Sequence, residues 1–122
     1  MTLEFVLAIH RDQLEAYGGE PGTRDQSGLE SALAQSEMEV FGQALHPTVP
    51  LKAAAYLYHL ALNHPFVDGN KRVAWAVMET YLVLEGFELT INNDEAYSLT
   101  VQVAKGELTK EEVAKRLEPY LS

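Results

Sequence analysis

The sequence predicts an all-α domain, and three observations support this. Apolar residues recur at helical spacing along nearly the whole chain. Helix-start and helix-stop signals separate these apolar segments. The 122 residues, 47% of them hydrophobic, suffice for one core and leave no room for a second domain. We therefore predict a single-domain bundle of about six helices over residues 1–122, with one short extended piece near residues 87–91.

Two helices are predicted in the first third of the chain. The first covers about residues 3–17 and ends in the glycine- and proline-rich stretch 17–22. Ser27 and Glu30 have the spacing of a capping box, which predicts a second helix starting there and running towards Glu39. Gly42 and Pro47 then interrupt the pattern, so residues 40–49 are expected to be irregular and mobile.

The middle of the chain predicts two buried helices joined by a polar loop. Pro50 suits the first position of a helix over about 51–62, and apolar residues surround this helix, so it should be central. The next helix covers about 70–85 and ends at Gly86. Between residues 73 and 84 only Glu79 and Thr80 are clearly polar, which predicts deep packing here too.

The last third of the chain predicts one extended piece and two helices. Residues 87–91 alternate between apolar and polar like a short strand. A fifth helix is expected over about 94–104. A sixth should begin at Thr109, which forms a second capping-box pattern with Glu112.

Composition and charge exclude several classes of protein. The net charge of −9, from 18 acidic and 9 basic residues, disfavours direct nucleic-acid binding, which needs lysine and arginine against phosphates. The absence of cysteine excludes disulfides and thiolate sites. The N-terminus does not resemble a signal peptide, and no apolar run is long enough for a membrane span. A soluble, cytoplasmic protein without membrane contact is expected.

The loop between the two buried helices carries the candidate chemistry. Its sequence is HPFVDGNKR, residues 64–72. Unpaired N–H groups at a helix start bind phosphates, and Gly69 lets a ligand approach the backbone. Asn70 suits the helix N-cap or a phosphate contact. Lys71 and Arg72, two of only nine basic residues, supply a point charge and a bidentate donor for phosphate.

Asp68 and His64 complete this candidate site. Asp68 offers the oxygen ligand that Mg²⁺ takes alongside substrate phosphates. His64 can accept a proton from a hydroxyl nucleophile. Taken singly, the histidine, aspartate and asparagine are also explained by packing or capping. Capping does not explain the lysine and arginine, which oppose the helix dipole in a first turn. The loop therefore predicts a site for nucleotide phosphates, with Phe66 and Val67 as anchors on the core.

The 64–72 loop resembles the signature of the Fic/Doc family, H-P-F-x-[DE]-G-N-G-R, with Lys71 in place of the second glycine. Upstream segments resemble the Doc (death-on-curing) branch: Ile9-His10, Tyr17-Gly18-Gly19, Pro21-Gly22 and Leu29-Glu30-Ser31-Ala32-Leu33. Fic-type adenylyltransferases usually carry a second arginine three residues after the first, where this chain has Trp75. Lys71 and the missing arginine are both Doc-like.

This resemblance implies a toxin with protein kinase activity, which moves the γ-phosphate of ATP to a serine or threonine hydroxyl and blocks translation. His64 would be the general base and Asp68 would hold Mg²⁺. Gly69, Asn70, Lys71 and Arg72 would bind the nucleotide, with Lys71 and Arg72 also catalytic. The expected target is elongation factor Tu, and the expected inhibitor is an antitoxin whose disordered C-terminal segment folds on the toxin. AMP transfer and a non-catalytic nucleotide- or peptide-binding module stay open as alternatives.

Other polar residues have weaker claims to function. His10 and His59 are expected to be packed or surface residues. His46 lies where the family has a flap for the target backbone, so a binding role for residues 40–49 is a hypothesis. Arg24 and Asp25 are interpreted as a local ion pair. The self-inhibitory pattern [ST]-x-x-x-E-[GN] does not occur, so control by another chain is expected.

Overall fold

Six α-helices make up most of the chain in the computed structural model, which describes residues 1–122. They are α1 (Leu3–Tyr17), α2 (Gln26–Ser36), α3 (Val49–Asn63), α4 (Asn70–Leu84), α5 (Asn93–Ala104) and α6 (Lys110–Leu117). A two-stranded antiparallel hairpin, β1 (Glu39–Val40) and β2 (Gln43–Ala44), lies between α2 and α3, and a 3₁₀ turn covers Glu118–Tyr120. The all-α prediction is confirmed.

Helix α3 is the centre of the bundle, as predicted. It packs against α2, α4, α5 and α6. Five consecutive residues of this helix are fully buried, namely Ala53, Ala54, Ala55, Tyr56 and Leu57. The three alanines have small side chains, so they let neighbouring helices approach on several sides at once. No helix combines the length and the apolar character needed to cross a bilayer.

Helix α4 has one buried face and one open face. The buried face packs on α3 and carries Val73, Ala74, Val77, Met78, Tyr81 and Leu82. The open face carries Trp75, Ala76 and Glu79, which line a cleft. The expectation of deep packing all round is therefore wrong for half of this helix. Trp75 and Ala76 are apolar because they border the cleft, which periodicity alone could not distinguish from burial.

Five of the six helices begin with a side chain that caps their first turn. The capping box at Thr109 and Glu112 is confirmed. The one expected at Ser27 is wrong, because Asp25 accepts the hydrogen bond from the Gly28 N–H and α2 starts one residue earlier, at Gln26. Helix α3 starts at Val49, with Pro50 in its first turn.

Two segments outside the helices differ from the prediction in opposite directions. Residues 40–49 were expected to be irregular, but the first of them belong to the hairpin, whose turn has positive φ at Phe41 (52°) and Gly42 (77°). The extended piece near 87–91 is present, yet it forms no regular strand. Leu89 makes an isolated antiparallel bridge with Leu121, near the C-terminus.

A buried polar cluster attaches the hairpin to the bundle. His46, just after β2, accepts a hydrogen bond from the Lys110 ammonium at 3.1 Å, and its Nδ1 donates to the Ser36 carbonyl at 3.3 Å. The same ammonium lies 3.5 Å from Nε2 of His59. Burial, with Lys110 adding to it, lowers the pKa of both histidines, and that of His59 falls to about 4. Both imidazoles are therefore neutral in the folded protein near pH 7.

This cluster predicts acid sensitivity. The folded protein lowers the pKa of His59 below 6.5, so protonation of this imidazole destabilises the fold. The contribution of neutral His59 to the free energy of unfolding is therefore complete above pH 6.5 and is lost as pH falls towards 4. We expect the free energy of unfolding to fall by roughly 1–3 kcal/mol from this source over that window. Chemical denaturation at several pH values should show a flatter dependence in His59→Gln, which keeps an acceptor for Lys110. Equal pH dependence in both proteins would contradict the assignment.

Candidate active site

The 64–72 loop connects α3 to α4 and lies at the mouth of a cleft of about 760 Å³. His64 ends α3 in a left-handed conformation (φ 45°, ψ 55°), and Gly69 precedes α4 with φ 77°. These two positions turn the chain sharply at each end of the loop. All six site residues predicted from the sequence line the cleft: His64, Asp68, Gly69, Asn70, Lys71 and Arg72.

Helix α4 alone begins without a side-chain cap. Its N-cap residue is Gly69, which has no side chain to accept a hydrogen bond. The first helical bond runs from the Val73 N–H to the Gly69 carbonyl at 2.9 Å. The backbone N–H groups of Asn70, Lys71 and Arg72 donate to no protein group. Three unpaired donors at the positive end of a helix dipole therefore border the cleft.

The side chain of Asn70 organises the loop and does not cap the helix. Its Oδ1 accepts a hydrogen bond from the Phe66 N–H, and its Nδ2 donates to the Phe66 carbonyl, both at 2.9 Å. The predicted N-cap role for Asn70 is therefore wrong. The amide still has one N–H that these bonds do not use. By closing the loop on itself, the side chain fixes the backbone between His64 and Gly69.

Phe66 anchors the loop from below, as predicted, whereas Val67 does not. Phe66 is 1% exposed, and its ring stacks on His10 with centroids 3.9 Å apart. Val67 is half-exposed at the cleft. The buried His10 also donates from Nε2 to the Asp68 carbonyl at 3.0 Å. The sequence predicted a packed or surface histidine, and it gave no sign that His10 supports the 64–72 loop, called here the signature loop.

Asp68 presents an exposed carboxylate to the cleft. Its Oδ2 accepts from the Glu20 N–H (3.2 Å) and its Oδ1 from the Gly69 N–H (2.8 Å). These backbone hydrogen bonds hold the pKa of Asp68 below its usual value, so the group is ionised. No three His, Asp or Glu side chains cluster to form a metal site of protein ligands alone. A single ionised carboxylate fits Mg²⁺ held jointly with nucleotide phosphates.

Two cations stand in the first turn of α4. Lys71 is exposed. The Arg72 Nη2 donates to the Gly18 carbonyl at 3.0 Å, and its guanidinium lies 5.6 Å from the centroid of the Tyr17 ring. A guanidinium has five N–H donors, so this contact leaves most of them available to a ligand. Arg72 is thereby held at the cleft before anything binds.

Residues 18–25, called here the bracing segment, run beside the signature loop. Thr23 forms an antiparallel bridge with Phe66, and the Arg24 and Asp25 N–H groups both donate to the Pro65 carbonyl. The Arg24 guanidinium donates to the His64 carbonyl at 2.5 Å. The expected ion pair between Arg24 and Asp25 is therefore wrong, since Asp25 caps α2. The sequence marked this stretch as a helix stop and as part of the resemblance to the Doc branch, but it did not indicate these contacts.

Gly19 is the tightest point of the bracing segment. A Cβ there would lie 2.9 Å from Oδ2 of Asp68 and 2.9 Å from a methyl carbon of Leu14. A Cβ at Gly18 would meet nothing within 4 Å, although both glycines have positive φ. The segment is thus built for close approach to the Asp68 carboxylate at Gly19.

We expect Gly19→Ala to lower the free energy of unfolding by about 2–4 kcal/mol, because backbone strain and overpacking add. Gly18→Ala is the matched control and should cost less, about 1–3 kcal/mol, from backbone strain alone. Urea denaturation of both variants measures the difference. Equal losses of stability would show that the contact with Asp68 is not tight.

The far end of the cleft was not identified from the sequence. It is formed by α4, by α5 and by Ile91 before α5, and its lining residues are Trp75, Ala76, Glu79, Ile91, Asn93, Ala96, Tyr97 and Thr100. Gln13 and Tyr17 of α1 line the cleft as well. One feature of the sequence could have indicated it. Lys71, Trp75 and Glu79 are four residues apart, which places them on one face of a helix.

Comparisons with known proteins identify the family of this chain. The sequence model of the Fic/DOC family matches residues 1–82, which include α3, the signature loop and all but the last two residues of α4. "Toxin Doc" of Mycolicibacterium smegmatis is 39% identical over 104 residues, covering 84% of this chain and 80% of that protein. "Protein kinase doc" of Escherichia phage P1 is 30% identical over 114 residues, covering 93% and 89%. The chain therefore belongs to the Fic/Doc family, and within it to the Doc branch.

Proposed function

We propose that this protein is a Doc-type toxin that transfers the γ-phosphate of ATP to a serine or threonine hydroxyl of a translation factor. The observation that carries the proposal is the uncapped N-terminus of α4, which places unpaired N–H groups, Lys71 and Arg72 beside His64 in an open cleft. The names of the two relatives, a toxin and a protein kinase, point in the same direction.

The charge distribution favours an anion at this position. The protein carries a net charge of −9, yet two cations are adjacent in the first turn of α4, where they oppose the helix dipole. A bound phosphate reverses this penalty, because it interacts favourably with the dipole, the N–H groups and both cations. We therefore assign the phosphates of the nucleotide to Gly69, Asn70, Lys71 and Arg72.

His64 is assigned as the general base. As the target hydroxyl oxygen forms its bond to the γ-phosphorus, the bond from that phosphorus to the β–γ bridging oxygen breaks and ADP leaves. The hydroxyl proton passes to the imidazole of His64. Phosphoryl transfer of this kind depends mainly on positioning and charge stabilisation. The contacts of Asn70, His10 and Arg24 with the loop supply that positioning.

Asp68 is assigned as the protein ligand of Mg²⁺. Bound Mg²⁺ neutralises charge on the phosphate oxygens during transfer. Asp68 itself is held in the ionised form by two backbone N–H groups, and the bracing segment fixes its orientation. Because each carboxylate oxygen accepts only one of these hydrogen bonds, lone pairs remain for a cation.

The hairpin is the candidate contact for a protein target. Phe41 at its tip is fully exposed, and Val40 and Leu45 are nearly half-exposed. Exposed apolar side chains of this kind are frequent where proteins bind one another. By the resemblance to the Doc branch, the target is elongation factor Tu and the inhibitor is an antitoxin with a disordered C-terminal segment. A cytoplasmic location would follow from that target.

The test is a transfer assay with purified elongation factor Tu and ATP labelled at either the α- or the γ-phosphate. We expect label on the target from γ-labelled ATP only, with Mg²⁺ required. Label from the α position would show AMP transfer and overturn the kinase assignment. Nucleotide binding without transfer of either label would favour a regulatory binding module instead.

A further inference from the structure

One face of α4 changes in character along the length of the cleft. Lys71, Trp75 and Glu79 follow one another at intervals of four residues and all line it. An ammonium group stands at the first turn, an indole one turn further on, and a carboxylate at the far end. At 1.5 Å per residue, Glu79 lies about 12 Å along the helix axis from Lys71. This span suits a nucleotide that lies along the helix.

The opposite wall at the far end offers apolar and uncharged polar surface. It consists of Ile91 and of the face of α5 that carries Asn93, Ala96, Tyr97 and Thr100. Tyr97 is 68% exposed although it is a large aromatic residue. Trp75 lines the same part of the cleft from α4. Aromatic side chains at such sites form platforms on which nucleobases stack.

No lysine or arginine lines this far end, whereas the near end has Lys71 and Arg72. Phosphates therefore favour the near end, and the uncharged part of a nucleotide is left for the far end. The part of the far end that carries Trp75, Glu79, Ile91, Ala96 and Tyr97 is called here the base end.

We infer that the base end holds the nucleobase, and that the Glu79 carboxylate selects it by accepting a hydrogen bond from its exocyclic amino group. The inference rests on the proposed function, since it assigns the second half of the same nucleotide. Adenine carries such an amino group at its 6-position. Glu79 is thereby a specificity-determining residue and takes no part in the transfer step.

The surroundings of Glu79 support this role. Burial raises the pKa of this carboxyl group above its ordinary value, and the nearby Trp75 indole offsets the shift only in part. The side chain is exposed at the cleft and its oxygens retain acceptor capacity. An amino group from a bound base would donate a hydrogen bond to this carboxylate. No other protein group donates to Glu79 from the α5 side of the cleft.

The test compares ATP with purine riboside 5′-triphosphate, which is ATP without the 6-amino group. Calorimetry on the full chain with Mg²⁺ gives the dissociation constant of each. We expect the wild-type protein to bind ATP about 10- to 100-fold more tightly, as one hydrogen bond to a charged group predicts. In Glu79→Ala this preference should disappear, with little change for purine riboside triphosphate.

Glu85→Ala is the matched control, because Glu85 ends the same helix outside the cleft. It should keep the wild-type preference. Equal binding of the two nucleotides by the wild-type protein, or an unchanged preference in Glu79→Ala, would overturn this inference and leave the proposed function intact. Failure of the wild-type protein to bind either nucleotide would overturn both.

Discussion

We expect His64→Ala to lower kcat for phosphate transfer by about 10²–10⁴-fold, the usual contribution of a positioned general base. The imidazole borders the cleft at the end of α3, beside the unpaired N–H groups of α4. Without it, the target hydroxyl has no assigned acceptor for its proton. Single-turnover transfer from γ-labelled ATP to the purified target measures the effect.

Nucleotide binding is the control for this variant. The phosphates are assigned to Gly69–Arg72, not to the imidazole, so the dissociation constant for ATP should change by less than about threefold, under 0.7 kcal/mol. Transfer at the wild-type rate would remove His64 from the mechanism. A large loss of ATP binding with little loss of kcat would instead assign His64 to the ligand contacts.

The second large effect is expected from Arg72→Ala, with a loss of about 10²–10³-fold in kcat. Removal of one preorganised donor to a developing negative charge has this magnitude in other enzymes. Arg72→Lys should recover only part of the loss, because an ammonium cannot replace a bidentate guanidinium. The same transfer assay measures both variants.

Arg11→Ala is the matched control, since Arg11 is exposed on α1 outside the cleft. It should leave transfer and stability unchanged. Arg72 also donates to the Gly18 carbonyl, so the stability of Arg72→Ala must be measured alongside its activity. If loss of activity merely followed loss of stability, Arg72 would be a structural residue only.

Much of the fold could be predicted from the sequence because its helices follow local rules. Apolar periodicity placed all six helices, and the capping box at Thr109 was readable from two residues. The errors were also local in origin. Ser27 matched a capping pattern, but the side chain of Asp25, directly before α2, accepts the capping hydrogen bond from the Gly28 N–H.

The candidate site was only partly predictable. The signature loop is contiguous in sequence, so its residues could be recognised together. The contacts that support the loop come from distant parts of the sequence. The Glu20 N–H donates to the Asp68 carboxylate, 48 positions away, and His10 donates to the Asp68 carbonyl, 58 positions away. Glu79 was missed for a different reason: Glu79 and Thr80 are the only clearly polar residues between 73 and 84, and two adjacent polar residues do not show which face of the helix is open.

The most direct measurement of the central claim is amide NMR of the 15N-labelled protein during titration with ATP and Mg²⁺. The claim is that nucleotide phosphates bind the uncapped start of α4. It predicts the largest shifts at the backbone amides of Asn70, Lys71 and Arg72, with the amides at the start of α6, which lies outside the cleft, unchanged. Saturable binding that leaves the amides of residues 70–72 unshifted would contradict the account.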